Sequence, residues 1–338
     1  MKKIALCLCA AIMASVTLGS CSLVLGDDPD DDPLSVYDSF WSVLNRDYAG
    51  FYTKTEVDWE ALRLQHRETV LQNPREETLL LAFGDIITRL NDGHMILFAG
   101  DNELSVIPAY NLIPFDFTVI RDTYLSDGRP DGSGYIYTGF LEDGIAYMWV
   151  SAFSGSGWSG HFSTELDRLS PSDKLIIDLR NNGGGNSSNG EDLLAQFIAE
   201  SALYGRDILP VGPDDPPVKR DLWVHPAKGA PRNHSIVILI NEGSSSTTDM
   251  VIAGFQEFTE AFTIGKPSRA ELVGNNVPRE LVNGWVFRLG TINNLMIRDT
   301  IVDGDMLPVD LDIDNSLARL QEGTDDQLDA AIAWFGGQ

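Results

Sequence analysis

Two stretches of this chain repeat one design, and together they constrain its fold more than any other feature. The segment "DKLIIDLRNNGGGNSSNGEDLLAQFIAE" runs an apolar strand, Leu175 to Leu179, into a glycine-rich turn and then a helical pattern. "SIVILINEGSSSTTDMVIAGFQEF" does the same with hydroxyls in place of the glycines. Uninterrupted apolar strands are those covered on both faces, and strands that alternate with helices build a parallel arrangement. The expected fold is therefore α/β with a partly parallel sheet.

The flanking sequence has a different texture. Across residues 34–90, Val36, Phe40, Val43 and Leu44 recur at helix spacing, as do Leu79, Phe83, Ile86 and Leu90. Between them, "VDWEALRLQHRETV" offers Trp59, Leu62 and Val70 behind Asp58, a good N-cap residue. This predicts a small helical bundle that closes at "LNDGHMILF", where Asn91, Asp92 and Gly93 end a helix and Met95 to Phe98 resemble a strand. From about residue 104 the runs "IPFDFTVI", "GYIYTGF" and "GIAYMWVSAF" read as short strands between turns.

The chain of 338 residues starts with Lys2, Lys3 and a short apolar run ending in "LGSC". That pattern reads as a secretion signal, residues 1–20, cleaved before a lipid-bearing Cys21. Cys7 and Cys9 would leave with it, which excludes a disulfide framework. "GDDPDDDP" then predicts a stiff, self-repelling tether over 21–33, followed by a helical domain at 34–93 and an α/β core at 94–338. A formal charge of −26 argues against nucleic acid and anionic lipid surfaces as partners. The expected location is the cell envelope, with the membrane reached through the N-terminal lipid.

Both turns admit a structural and a chemical reading. "RNNGGGN", Arg180 to Asn186, either satisfies positive φ or frees N–H groups to face an anion. It lacks the Lys-Ser/Thr pair of a phosphate loop and the spacing of the dinucleotide fingerprint. In "NEGSSSTTD", one or two hydroxyls would suffice to cap a helix, and five exceed that need. A nucleophilic serine requires a base. Among the five histidines, His94 stands at a helix-to-strand corner from which it could reach a cleft.

The order "FWSVLNRDYAGF…VDWEAL…LNDGHMIL…GIAYMWVSAF…KLIIDLRNNGGGN…ILINEGSSSTTD…DMLPVDLDI" resembles the C-terminal processing (tail-specific) proteases, serine peptidases whose relatives include tricorn-type enzymes. The likeness spans residues 36–315 and implies a crotonase/ClpP-like core. It places the nucleophile at Ser246, with Thr247 where Ala is usual and Asp249 where Glu is usual. It implies an oxyanion hole from the N–H of Thr247 and that of Gly183 or Gly184. One branch uses a later lysine, but Ala270 or Glu271 occupies that place and Lys266 comes too early. The other branch uses a histidine in an L-x-D-G-H setting, which points to His94, oriented by a late carboxylate, Asp303 ahead of Asp305. The span from 104 to 145 is too short for the family's PDZ domain. The resemblance thus implies a serine peptidase acting on a peptide or protein substrate, with no metal or cofactor. A non-catalytic ligand-binding member and a scaffold lipoprotein are the rival expectations.

Overall fold

The computed structural model describes residues 32–106, 114–212, 215–297 and 299–337. The expected signal segment, Cys21 and all of the acidic tether but its last two residues lie outside them. The N-terminal apolar repeats form α1 (Pro33–Asp47), α2 (Trp59–Gln72) and α3 (Glu76–Leu90). Asp58 caps α2 as its position before the repeat predicts, Oδ1 accepting from the Ala61 N–H at 2.9 Å. Helix α3 stops where Asn91 turns left-handed at φ 45°, a conformation that Asn tolerates. No described helix is long and apolar enough to cross a membrane.

The three helices do not close on themselves. Their buried faces share one core with Leu97, Val273, Phe287 and Leu289, all of them strand residues. Those strands belong to a six-stranded sheet of β1 (Ile96–Ala99), β2 (Asn102–Ser105), β7 (Ala202–Leu209), β8 (Val218–Val224), β11 (Val273–Glu280) and β12 (Val286–Met296). Every pairing in it is antiparallel, and β12 is its hub, bonded to β1, β7 and β11. The helical segment is thus roofed onto chain that returns two hundred residues later.

The second sheet is the one that the two repeated units predict. It has seven strands in the order β13 (Leu311–Asp312), β10 (Phe262–Gly265), β9 (Ser235–Ile240), β6 (Lys174–Asp178), β5 (Ala146–Val150), β4 (Ile136–Phe140) and β3 (Arg129–Pro130). From β5 through β13 the pairings are parallel, while β3 and β4 are antiparallel. Helices α4 (Ser159–Leu169), α5 (Ser187–Leu194) and α6 (Thr247–Phe258) bury apolar residues with one face of this sheet. The C-terminal α8 (Asp326–Gly336), which follows the short α7 (Leu317–Gln321), buries Leu328, Ala331 and Phe335 with Val237 and Leu239. Because β6 and β9 are parallel neighbours, with Asp178 opposite Leu239, the glycine turn and the hydroxyl turn leave the sheet side by side.

One expected strand is absent. Within "IPFDFTVI", Phe117–Val119 form a helical turn instead, since Asp116 Oδ1 accepts from the Thr118 N–H at 2.9 Å and so caps it. Tertiary contact outweighs β-propensity there, because Phe117 stacks on Trp149 with ring centroids 3.8 Å apart.

Candidate active site

The two turns are stitched together by their own polar residues. Asn241 Oδ1 accepts from the N–H groups of Asn181 and Gly243. Ser244 Oγ donates to the Leu179 carbonyl at 2.9 Å, and the Ser245 N–H donates to the Asn182 carbonyl at 3.0 Å. Thr247 Oγ1 donates to the Gly185 carbonyl at 2.8 Å. The hydroxyls of Ser244 and Thr247 are thus structural cement, whereas Ser245 contributes its backbone N–H and Thr248 Oγ1 is buried without a partner. Ser246 likewise has a hydroxyl with no hydrogen bond to the described residues, and what sets it apart is its main chain. Its backbone is forced to φ 59°, ψ −121° at the cap of α6. A non-glycine residue held there is strained, and such strain on a strand–turn–helix corner is how a nucleophile is thrust out of its turn.

Ser246 opens on a cleft of about 460 Å³ whose walls carry Glu191, Asp207, Arg220 and Asn294. Asp207 is buried and paired with Arg220, and Asn294 Nδ2 donates to its other oxygen at 2.6 Å. Burial pushes the Glu191 carboxyl above its ordinary range, against the pull of the Tyr204 hydroxyl bonded to it.

The N–H groups implied for the oxyanion hole fall into two kinds. That of Gly184 is already taken by Asn182 Oδ1 at 2.9 Å. Those of Gly183 and Thr247 donate to no described residue. The Thr247 N–H also stands at the first position of α6, where the helix dipole favours negative charge.

His94 lies across a short chain of contacts. Asp249, in the first turn of α6, is fully buried and accepts from Ser268 Oγ, the Ala270 N–H and the Glu271 N–H at 2.6, 3.1 and 3.0 Å. Glu271 in turn lies against Gly93, the residue before His94. No hydrogen bond joins Ser246 to His94 in this conformation. The carboxylate beside the imidazole is Asp92, whose Oδ1 is 3.8 Å from Nδ1 and accepts from the His94 backbone N–H at 2.8 Å. Asp303 is engaged elsewhere: Oδ1 accepts from the Leu272 and Val273 N–H groups, and Oδ2 pairs with Lys54 Nζ at 2.7 Å. Asp305 accepts from the Val302 N–H, closing its own loop. Lys266 pairs with Asp312 at 2.7 Å, at the β13 edge of the parallel sheet.

Burial, with Asp303 adding to it, pushes Asp92 up to about 6, while His94 and Lys54 pull the other way. Sequence reasoning passed over Asp92 although it stands inside "LNDGH". Tyr48 and Lys54 carry no signal of their own, since only the fold brings them here. Among the described residues, no cluster of His, Cys, Asp and Glu is placed to hold a metal ion.

Known proteins share this fold. Residues 144–300 match the family model described as peptidase family S41. A candidate peptidase from Parabacteroides merdae superposes with TM-score 0.77 at 20% identity, covering 90% of this chain and 97% of that one. Mature CPAF superposes with TM-score 0.62 at 11% identity, over 86% and 94%. A lipoprotein from Streptococcus agalactiae gives 0.51 at 15% identity, over 86% and 95%. No curated protein matches the sequence. Over residues 144–300 the chain is similar to peptidase family S41, and as a whole it has the mixed α/β fold of these solved structures.

Proposed function

We propose that this protein is a serine peptidase of the cell envelope, held to a membrane by lipid on Cys21, that cuts peptides or proteins entering the Ser246 cleft. Ser246 Oγ attacks the scissile carbonyl, and His94 accepts its proton and returns it to the leaving amine. The free N–H groups of Gly183 and Thr247 receive the oxyanion, and one such donor is worth about 3–4 kcal/mol of barrier. The observation that carries the reading is the strained backbone of Ser246, φ 59° and ψ −121°, with its hydroxyl unbonded beside those donors. A capping serine would have neither the strain nor the free hydroxyl.

Closing the catalytic pair requires His94 and Ser246 to approach within hydrogen-bond reach, as bases and nucleophiles do when substrate docks. A fluorophosphonate probe tests this directly. It should label the wild type at Ser246 and leave Ser246→Ala and His94→Ala unlabelled. Equal labelling of wild type and Ser246→Ala, or none of either, would reduce the site to a binding cleft.

A further inference from the structure

We propose that Asp92 is the positioning carboxylate of His94, and that Tyr48 and Lys54 of the N-terminal segment hold it in that role. The proposal rests on reading His94 as the base for Ser246. Its own support is a group of buried polar atoms left unpaired in one place. His94 Nδ1, Asp92 Oδ2 and the Tyr48 hydroxyl are each buried with no hydrogen-bond partner. Burial holds the Tyr48 phenol well above its ordinary range, and the charges of Asp92 and Asp303 add to that. Unpaired buried polar atoms are destabilising, so several together mark an arrangement with a second, paired state close by.

That paired state is within a small movement. Nδ1 is 3.8 Å from Asp92 Oδ1, and a slight rotation of the ring brings its N–H into bonding range. Oδ2 is then left for the Tyr48 O–H. With the proton fixed on Nδ1, the lone pair of Nε2 is the one that takes the Ser246 proton, and Asp92 stays a carboxylate throughout.

Asp303 has no oxygen to offer the ring, since two backbone amides and Lys54 hold it. Its part is electrostatic. Asp303 raises Asp92 by like-charge repulsion, and Lys54, only 11% exposed at its side chain, offsets part of that effect. Arg269 and Glu271, which share a cavity of about 240 Å³ with Asp92 and Asp303, complete the charged surroundings. Lys54 and Tyr48 are tied to the core through Asn293, whose Nδ2 donates to the Ala49 carbonyl and Thr53 Oγ1. The helical segment therefore reaches the base through a specific set of contacts.

Nitrogen-15 spectroscopy of the His94 ring reads the claim without activity. The wild type should show the Nδ1–H tautomer, Asp92→Asn should lose it, and Asp303→Asn should keep it. Fluorophosphonate labelling adds the functional arm. Asp92→Asn should slow it by on the order of 10³–10⁴-fold, as loss of a triad carboxylate does, whereas Asp303→Asn stays within about tenfold. Lys54→Met should shift the acid limb of the labelling profile to higher pH, because Asp92 then ionises less readily. Tautomer and labelling that survive Asp92→Asn but fail in Asp303→Asn would overturn the assignment. A wild type with the expected tautomer but no labelling would instead sink the nucleophile reading and leave Asp92 as the ring's partner. Thermal midpoints of the isosteric Asn variants separate these outcomes from misfolding.

Discussion

Gly184 stands so close to Ser246 that a β-carbon built on it would lie 2.7 Å from the serine's own. The same atom would meet the Thr247 nitrogen at 2.8 Å, and Gly184 holds φ +88°, where side chains are strained. The glycine turn is therefore shaped to let the hydroxyl turn nest into it. Gly184→Ala should lower stability by roughly 1–3 kcal/mol and slow probe labelling of Ser246 by on the order of 10²–10³-fold, the loss expected when oxyanion donors are displaced. Gly183→Ala keeps its backbone N–H donor and meets nothing nearer than 4.0 Å, so it should label faster than Gly184→Ala. Equal labelling rates in the two variants would show that the nesting does not set the site.

Arg180 opens the same turn but does other work. Its guanidinium is fully buried, paired with Asp178 at 2.5 Å and with Asp325 at 2.8 Å, and stacked over Phe115 at 4.7 Å. Asp325 caps α8, so this cation fastens the C-terminal helix beneath the parallel sheet. Arg180→Met should cost about 3–5 kcal/mol, because removing one partner of a buried pair leaves carboxylates uncompensated. Urea unfolding measures it. A loss below about 1 kcal/mol would mean that the two acids are protonated or rehydrated at little cost.

The parts of the fold that could be read from sequence are those in which one segment decides its own fate. Helices α1 to α3 follow from apolar spacing and caps, and β6 and β9 from largely apolar runs ending in turns. Ser246 followed from a family likeness, and its strained φ gives that choice an independent physical reason. Of the antiparallel sheet, β1 was legible but β11 was not, because "VGNNVPRE" alternates polar residues and contains Pro278. Its place is set by β12, which arrives from the other side of a turn. Asp92 escaped notice for a related reason. As sequence it is the end of a helix, and only burial beside Tyr48, Lys54 and Asp303 makes it a candidate partner of the base.

The choice between histidine and lysine chemistry has a clear geometric expectation. Lys266 Nζ lies 2.7 Å from Asp312 and 3.5 Å from Asp314, engaged with acids at the β13 end of the sheet. The place where a lysine base would follow Ser246 holds Ala270, buried and bonded through its N–H to Asp249. Lys266→Ala should keep labelling within about threefold of wild type and lose under 1 kcal/mol, the usual worth of an exposed ion pair. His94→Ala should abolish labelling. The opposite pattern would require Lys266 to leave its carboxylates and cross to the cleft.

Asp249 carries a pH dependence of the opposite sign to most surface acids. Burial pushes it up to about 7 from 3.8, outweighing the hydrogen bonds from Ser268, Ala270 and Glu271 that favour its charge. Between those two values the unfolded chain has released the proton and the folded chain retains it. Stability from this group is therefore fully present below about pH 4 and declines as pH rises to about 7. Other carboxylates, such as Asp47 and Asp85, shift the opposite way, so total stability will not show the trend cleanly. The difference between wild type and Asp249→Asn removes their contribution. Measured by chemical denaturation, the wild type should lose ground to the variant from pH 4 to pH 7, by up to about 1.4 kcal/mol per pH unit, and hold level above. A flat difference would show that the three donors keep Asp249 ionised even at its buried post. In that case a fixed negative charge, rather than a neutral acid, sits one helical turn behind Ser246.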